Sequence, residues 1–116
     1  MERKFRLSSS SDFTRVRRFG KSYAHPLIVL AFLPNELDRS RFGVAAGRSV
    51  GNAVQRNRAK RLLRECLRPI IPAIEPGWDL ILIARRPLSE ASLQETMQAL
   101  NALLHRANLL KAPYGE

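Results

Sequence analysis

Arg56, Arg58, Lys60, Arg61, Arg64 and Arg68 fall within one short stretch of chain in which Glu65 is the only acid. A guanidinium is a planar fork that pairs with phosphate oxygens and stacks on bases, so this density of arginine points to a polyanionic ligand. Other residues able to do chemistry are few. His25, His105 and Glu65 are the candidates for a general acid and base acting on a phosphodiester, and nothing in their sequence settings brings them together. The histidines also lack a Cys or His partner at zinc-ligand spacing. Each reads as a surface or packing residue, and neither a catalytic residue nor a metal site is expected on the protein. Cys66 is the single cysteine, which excludes an intramolecular disulfide and fits a reducing, cytoplasmic setting.

The cationic stretch needs a helix to give it a face, and the sequence supplies one. Asn52 stands at an N-cap position with Gln55 three residues on, the spacing of a capping box. Stepping by three and four, Ala59, Leu62, Leu63, Cys66, Leu67 and Ile70 share an apolar arc, while Asn57, Arg58, Lys60, Arg61, Arg64 and Arg68 share the other. An ordinary wet helix face mixes signs, because like charges four apart repel. The free N–H groups of Ala53 and Val54 add a phosphate seat at the positive helix end, with Gly51 allowing close backbone approach. Arg64 and Arg68 have a second reading, since late-helix bases also complement the helix dipole.

Twenty Lys and Arg against ten Asp and Glu give +10 over 116 residues. Such a field attracts nucleic acid or an anionic membrane. The membrane is disfavoured: no apolar run approaches the ~20 residues of a spanning helix, the N-terminus has no apolar run after its charges, and the basic helix lacks the Trp and Phe of an interfacial anchor. Length and pattern predict one domain over residues 1–116.

The remaining elements follow in order. Ser10 or Ser11 caps a short helix carrying Phe13 and Val16 on one face, Arg15, Arg17 and Arg18 elsewhere, and Gly20 as its stop. Residues 23–33 read as a strand and 41–48 as a second, paired with the first as an antiparallel hairpin. After the basic helix, which ends near Pro69 to Pro72, the apolar run 78–84 predicts a strand inside the sheet. Ser92 and Glu95 form a second capping box ahead of a core-facing stripe, Leu93, Met97, Leu100, Leu104 and Ala107. The expected fold is an α+β sandwich, a small mixed sheet of three to four strands with about three helices, in the order α-β-β-(β)-α-β-α.

Gly51-Asn52-Ala53-Val54, Arg56-Asn57-Arg58, Lys60-Arg61 and Arg64-Glu65 together resemble, in order and spacing, the signature of the bacterial ribonuclease P protein component. Arg6-Leu7, Asp12-Phe13 with Val16 and Gly20, and the stretches 41–44 and 81–85 look like their counterparts in that family. The resemblance implies a ribosomal-protein-S5-domain-2-like fold with a left-handed crossover between two parallel strands. It implies the accessory subunit of an endoribonuclease in which a catalytic RNA, with its bound Mg2+, removes the 5′ leader of precursor tRNA. The protein alone would be inactive, with no organic cofactor, no membrane and no obligate protein partner. By that resemblance Arg48, Asn52, Arg56, Asn57, Arg58, Lys60, Arg61, Arg64 and Arg68 bind RNA, and Phe13, Arg17 and Arg6 line a cleft for the leader.

Two positions depart from the family pattern. Arg17 stands where a second cleft aromatic is frequent, and Gly47-Arg48-Ser49 replaces a serine followed by two bases. Phe13 also reads as a core phenylalanine. Two rival functions remain: a self-sufficient basic ribonuclease built on His25, His105 and Glu65, and a non-catalytic ribosomal or general RNA-binding protein.

Overall fold

A computed structural model describes residues 2–112. The elements are α1 (Ser10–Phe19), β1 (Lys21–Ala24), β2 (Ile28–Pro34), β3 (Arg41–Ala46), α2 (Ala53–Leu67), β4 (Trp78–Ala84) and α3 (Leu93–Arg106), with short 3-10 turns at Arg3–Phe5, Arg48–Val50, Arg68–Ala73 and Arg86–Glu90. This is the expected α+β fold with a mixed sheet and three helices.

The strands lie in the order β1-β2-β4-β3. β2 runs antiparallel to β1 and β4, whereas β3 and β4 are parallel, with Phe42 opposite Leu80 and Val44 opposite Leu82. Two sequence expectations change here. The run 23–33 divides at His25-Pro26-Leu27 into β1 and β2, which form the hairpin. The hairpin expected between 23–33 and 41–48 does not form, because β4 lies between β2 and β3. Leu80, Ile81 and Leu82 are 1% exposed or less, and a strand buried on both faces satisfies its backbone only with a neighbour on each edge.

Side chains alternate across the sheet. Ile28, Leu30, Phe32, Phe42, Leu80, Leu82 and Ala84 meet α2 and α3 on one face. Ala31 and Ile81 point to the other, where Leu7 and Val16 complete a smaller cluster beneath α1. The sandwich is therefore the sheet with α2 and α3, and α1 covers part of its far side.

Local signals place the helix ends. Ser9, one residue before the expected caps, accepts from the Asp12 N–H, and Gly20 ends α1. Gly20 has no room for a side chain, since a Cβ would sit 2.5 Å from the Val16 carbonyl oxygen. Ser92 and Glu95 form their capping box, but the α3 stripe is only half inward. Leu100 and Leu104 are buried with Thr96, Ala99 and Leu103, whereas Leu93 is 46% and Met97 40% exposed. Both stand at the outer margin of the packing between α2 and α3, where Met97 lines a groove with Cys66 and Ile70.

Candidate nucleic-acid interface

α2 begins as the spacing required. Asn52 Oδ1 accepts the Gln55 N–H at 2.9 Å, and Gln55 Oε1 accepts the Asn52 N–H at 2.8 Å. Gly51 makes this geometry possible. Its φ of +141° lies where side chains are strained, and a Cβ would fall 1.9 Å from Gln55 Oε1. Because the box uses the N–H groups of Asn52 and Gln55, those of Ala53 and Val54 remain directed outward at the positive helix end.

Ala59, Leu62, Leu63, Cys66 and Leu67 are buried as expected, and Ile70 is half-buried in the following turn. Cys66 donates to the Leu93 carbonyl at 3.7 Å, and burial, with the Glu65 charge adding, pushes its pKa up to about 11, so the thiol stays protonated at neutral pH.

The opposite face is open. Asn57, Arg58, Arg61, Arg64 and Arg68 are exposed, and Arg56 and Lys60 are half-buried. Arg58 donates to the Ser89 carbonyl, and Arg56 reaches the Gly51 carbonyl at 3.5 Å. Among the described residues no base of α2 forms an ion pair; every salt bridge belongs to Lys4, Arg15, Arg39 or Arg41. Arg48 is exposed at the head of α2, where it lines a hollow of about 670 Å³ with Gly51, Gln55, Ser89 and Arg86. Arg86 was not singled out from the sequence, because the fold brings it beside α2 from the turn after β4.

A second concavity of about 480 Å³ runs along the outer edge of β3, lined by Arg6, Leu7, Ser8, Phe13, Phe42, Gly43, Val44 and Arg64. Phe13 is half-buried, with its ring directly over Gly43: a Cβ at Gly43 would lie 2.5 Å from it. The two readings of Phe13 thus coincide, since the ring packs beside Leu7 and Val16 and also forms a wall of the cleft. Arg6 is held at the rim where Leu7 N–H donates to the Phe42 carbonyl at 2.8 Å. Arg64 brings the cationic face of α2 to the same cleft. Arg17 is exposed and does not line it. Gly43 is the residue missed by sequence reasoning, and its signal was a glycine interrupting an otherwise side-chain-bearing strand.

Behind the cleft lies a buried ionic cluster that the sequence did not announce. Asp79, 0% exposed, receives hydrogen bonds from Arg41 Nε at 2.9 Å, Arg41 Nη2 at 2.8 Å, Asn35 Nδ2 at 2.9 Å and the Arg15 guanidinium. Burial works to raise its pKa, and the hydrogen bonds from Arg41, Asn35 and Arg15 outweigh it, holding the carboxyl below its ordinary value. The same bond to Asp79 raises the Arg41 pKa against the effect of burial. Asp12 adds contacts to Arg15 at 3.4 Å and Arg41 at 3.8 Å. The cluster ties α1, β3, β4 and the loop after β2 together, and so fixes Phe13 over Gly43.

The groups of a protein-only nuclease are not assembled. His25 occupies the β1–β2 turn, its Nδ1 accepting from the Leu27 N–H at 3.1 Å. His105, in the last turn of α3, lines a separate groove that includes neither His25 nor Glu65. Among the described residues no three His, Cys, Asp or Glu side chains converge. Asp12 and Asp79 are both engaged by arginine. Also among the described residues, no helix is long and apolar enough to cross a membrane.

A family model described as Ribonuclease P matches residues 1–108. The ribonuclease P protein component of Herpetosiphon aurantiacus is 43% identical over 109 residues, spanning 94% of this chain and 89% of that protein. The corresponding protein of Roseiflexus castenholzii is 36% identical, spanning 100% and 96%. The solved RNase P protein of Staphylococcus aureus matches with a TM-score of 0.82 at 30% identity, covering 92% of this chain and 98% of that one. That of Thermotoga maritima matches with a TM-score of 0.78 at 34% identity, covering 87% and 96%. These matches separate the cleavage-linked reading from that of a ribosomal or general RNA-binding protein.

Proposed function

This chain belongs to the bacterial ribonuclease P protein family, the protein component of a tRNA-processing endoribonuclease, and from that premise we propose how its residues divide the work. Residues 1–116 act as one RNA-binding domain. The face of α2, with Arg56, Asn57, Arg58, Lys60, Arg61, Arg64 and Arg68, seats on the catalytic RNA, and Arg48 and Asn52 extend that contact at the helix head. The cleft along β3 takes the single-stranded 5′ leader of precursor tRNA, with Phe13 as the stacking platform and Arg6 and Arg64 against its phosphates. Arg17, outside the cleft, meets the leader beyond it through its guanidinium plane. Hydrolysis and the Mg2+ it uses belong to the RNA.

The observation that carries this reading is the position of Arg64. It stands on the uncompensated face of α2 and also lines the cleft whose other wall is Phe13. A single positive surface therefore runs from helix to cleft, so the leader and the catalytic RNA can be held side by side. Stacking in a positive groove is the general means of gripping single strands.

The leader assignment is tested with Phe13→Ala in the assembled enzyme. Precursor tRNA should bind roughly tenfold more weakly while leaderless tRNA changes little, since one base–aromatic stack is worth about 1–3 kcal/mol. Equal loss for both substrates would confine Phe13 to packing.

A further inference from the structure

At the sheet edge opposite the cleft, a groove of about 420 Å³ opens where β1 begins, β2 ends and β4 begins, beside the C-terminus of α3. Phe19, Tyr23, Phe32 and Trp78 line it. Phe19 is 67% exposed at the end of α1. Its ring adjoins the other aromatic residues of the groove, so the exposed apolar surface there is contiguous and not a lone side chain. Tyr23 and Trp78 stand on either side of Phe32, with ring centroids 5.9 and 5.8 Å from it; Phe32 is buried and meets Trp78 edge-on, so the aromatic floor left open is that of Phe19 with the half-buried Tyr23 and Trp78.

The charge around this floor has one sign. Lys21 lines the groove, the Arg18 guanidinium lies 5.5 Å from the centre of the Phe19 ring, and that of Arg106 lies 4.6 Å from the centre of Tyr23. No acid is among the lining residues; Glu36 and Asp38 occupy the loop beyond β2 and lie outside the lining. Asn108, held at φ +58°, places an amide at the rim.

We propose that this groove is a second site for single-stranded RNA, in which one or two unpaired bases stack on Phe19 and Trp78 while Lys21, Arg18 and Arg106 meet the adjoining phosphates. Flat aromatic surface bordered by cations is the chemistry that recognises unpaired nucleotides irrespective of sequence. A protein partner would also cover the rings, but the one-signed border is complementary to phosphate. The site stands apart from Phe13 and Arg64, at the other edge of the sheet, so it would hold a different stretch of RNA from the one in the cleft.

Trp78 is the only tryptophan in the chain, so the groove carries its own reporter. A short oligoadenylate titrated into the full-length protein should quench Trp78 fluorescence to saturation. A blunt RNA duplex of equal length, with the charge but without free bases, should leave it nearly unchanged. Phe19→Ser, a substitution at an exposed position, should weaken the oligoadenylate quench roughly tenfold, and Lys21→Gln should flatten its salt dependence by about one phosphate contact. No quenching by oligoadenylate, equal quenching by the duplex, or an unaltered curve in Phe19→Ser would overturn the proposal.

Discussion

On one side of the sheet Arg15 and Arg41 close on Asp79, a carboxylate with no exposure; on the other, Arg58, Arg61 and Arg64 stand on α2, and Arg68 caps its end, with no acid paired to them. The residue type is the same and the physical situation opposite. A buried carboxylate must be paired and hydrogen-bonded or it costs several kcal/mol, and with Arg41, Arg15 and Asn35 around it the Asp79 side chain is fully occupied. The α2 arginines keep their water and their unspent charge, which is the condition for binding a polyanion by releasing its counterions. A formal charge of +10 therefore overstates how evenly arginine serves binding. Part of it is internal scaffolding that holds α1 on the sheet.

That contrast breaks most visibly at Asp79. Asp79→Asn should lower unfolding stability by on the order of 3 kcal/mol, because two guanidinium groups lose their counter-charge, as urea denaturation would record. The sign of its pH dependence follows from the depressed carboxyl pKa. The stabilisation is complete above the unfolded value of about 3.9 and fades as pH falls below it toward the folded one. The acid limb of the stability profile should accordingly be flatter in Asp79→Asn. A variant as stable as the parent would remove the cluster from the framework.

A smaller effect sharpens the other half. Arg61→Ala should leave stability within about 0.5 kcal/mol, as expected for an exposed site. It should reduce the slope of log K against log salt for binding to ribonuclease P RNA by roughly one unit. An unchanged slope would take Arg61 out of the interface.

What the sequence made legible follows the same division. The capping box at Asn52 and Gln55 and the two arcs of α2 depend on neighbours three and four residues away, so they could be read directly, and both are present. The strand order could not be read, because inserting β4 between β2 and β3 is settled by burial across the whole sheet. The Asp79 cluster was hidden for a related reason: its partners lie 64, 44 and 38 residues distant, at Arg15, Asn35 and Arg41. Its trace was a lone acid inside an apolar strand, which signals a buried partner without naming it. The cleft was half visible. Phe13 and Arg6 were identified through the resemblance, whereas Gly43, which makes room for the ring, became apparent only when α1 was seen lying over β3. Arg17 shows the reverse, a position carried over from the family that lies outside the cleft in this chain.

The central claim is that the open arginine face of α2 holds the catalytic RNA. Its most direct test is 5′ maturation of precursor tRNA at low magnesium, reconstituted from ribonuclease P RNA and a chain carrying Arg58→Gln, Arg61→Gln and Arg68→Gln together. All three positions are exposed, so an unchanged unfolding midpoint is expected. The account predicts a folded protein that no longer rescues maturation; rescue at the parental level would contradict it.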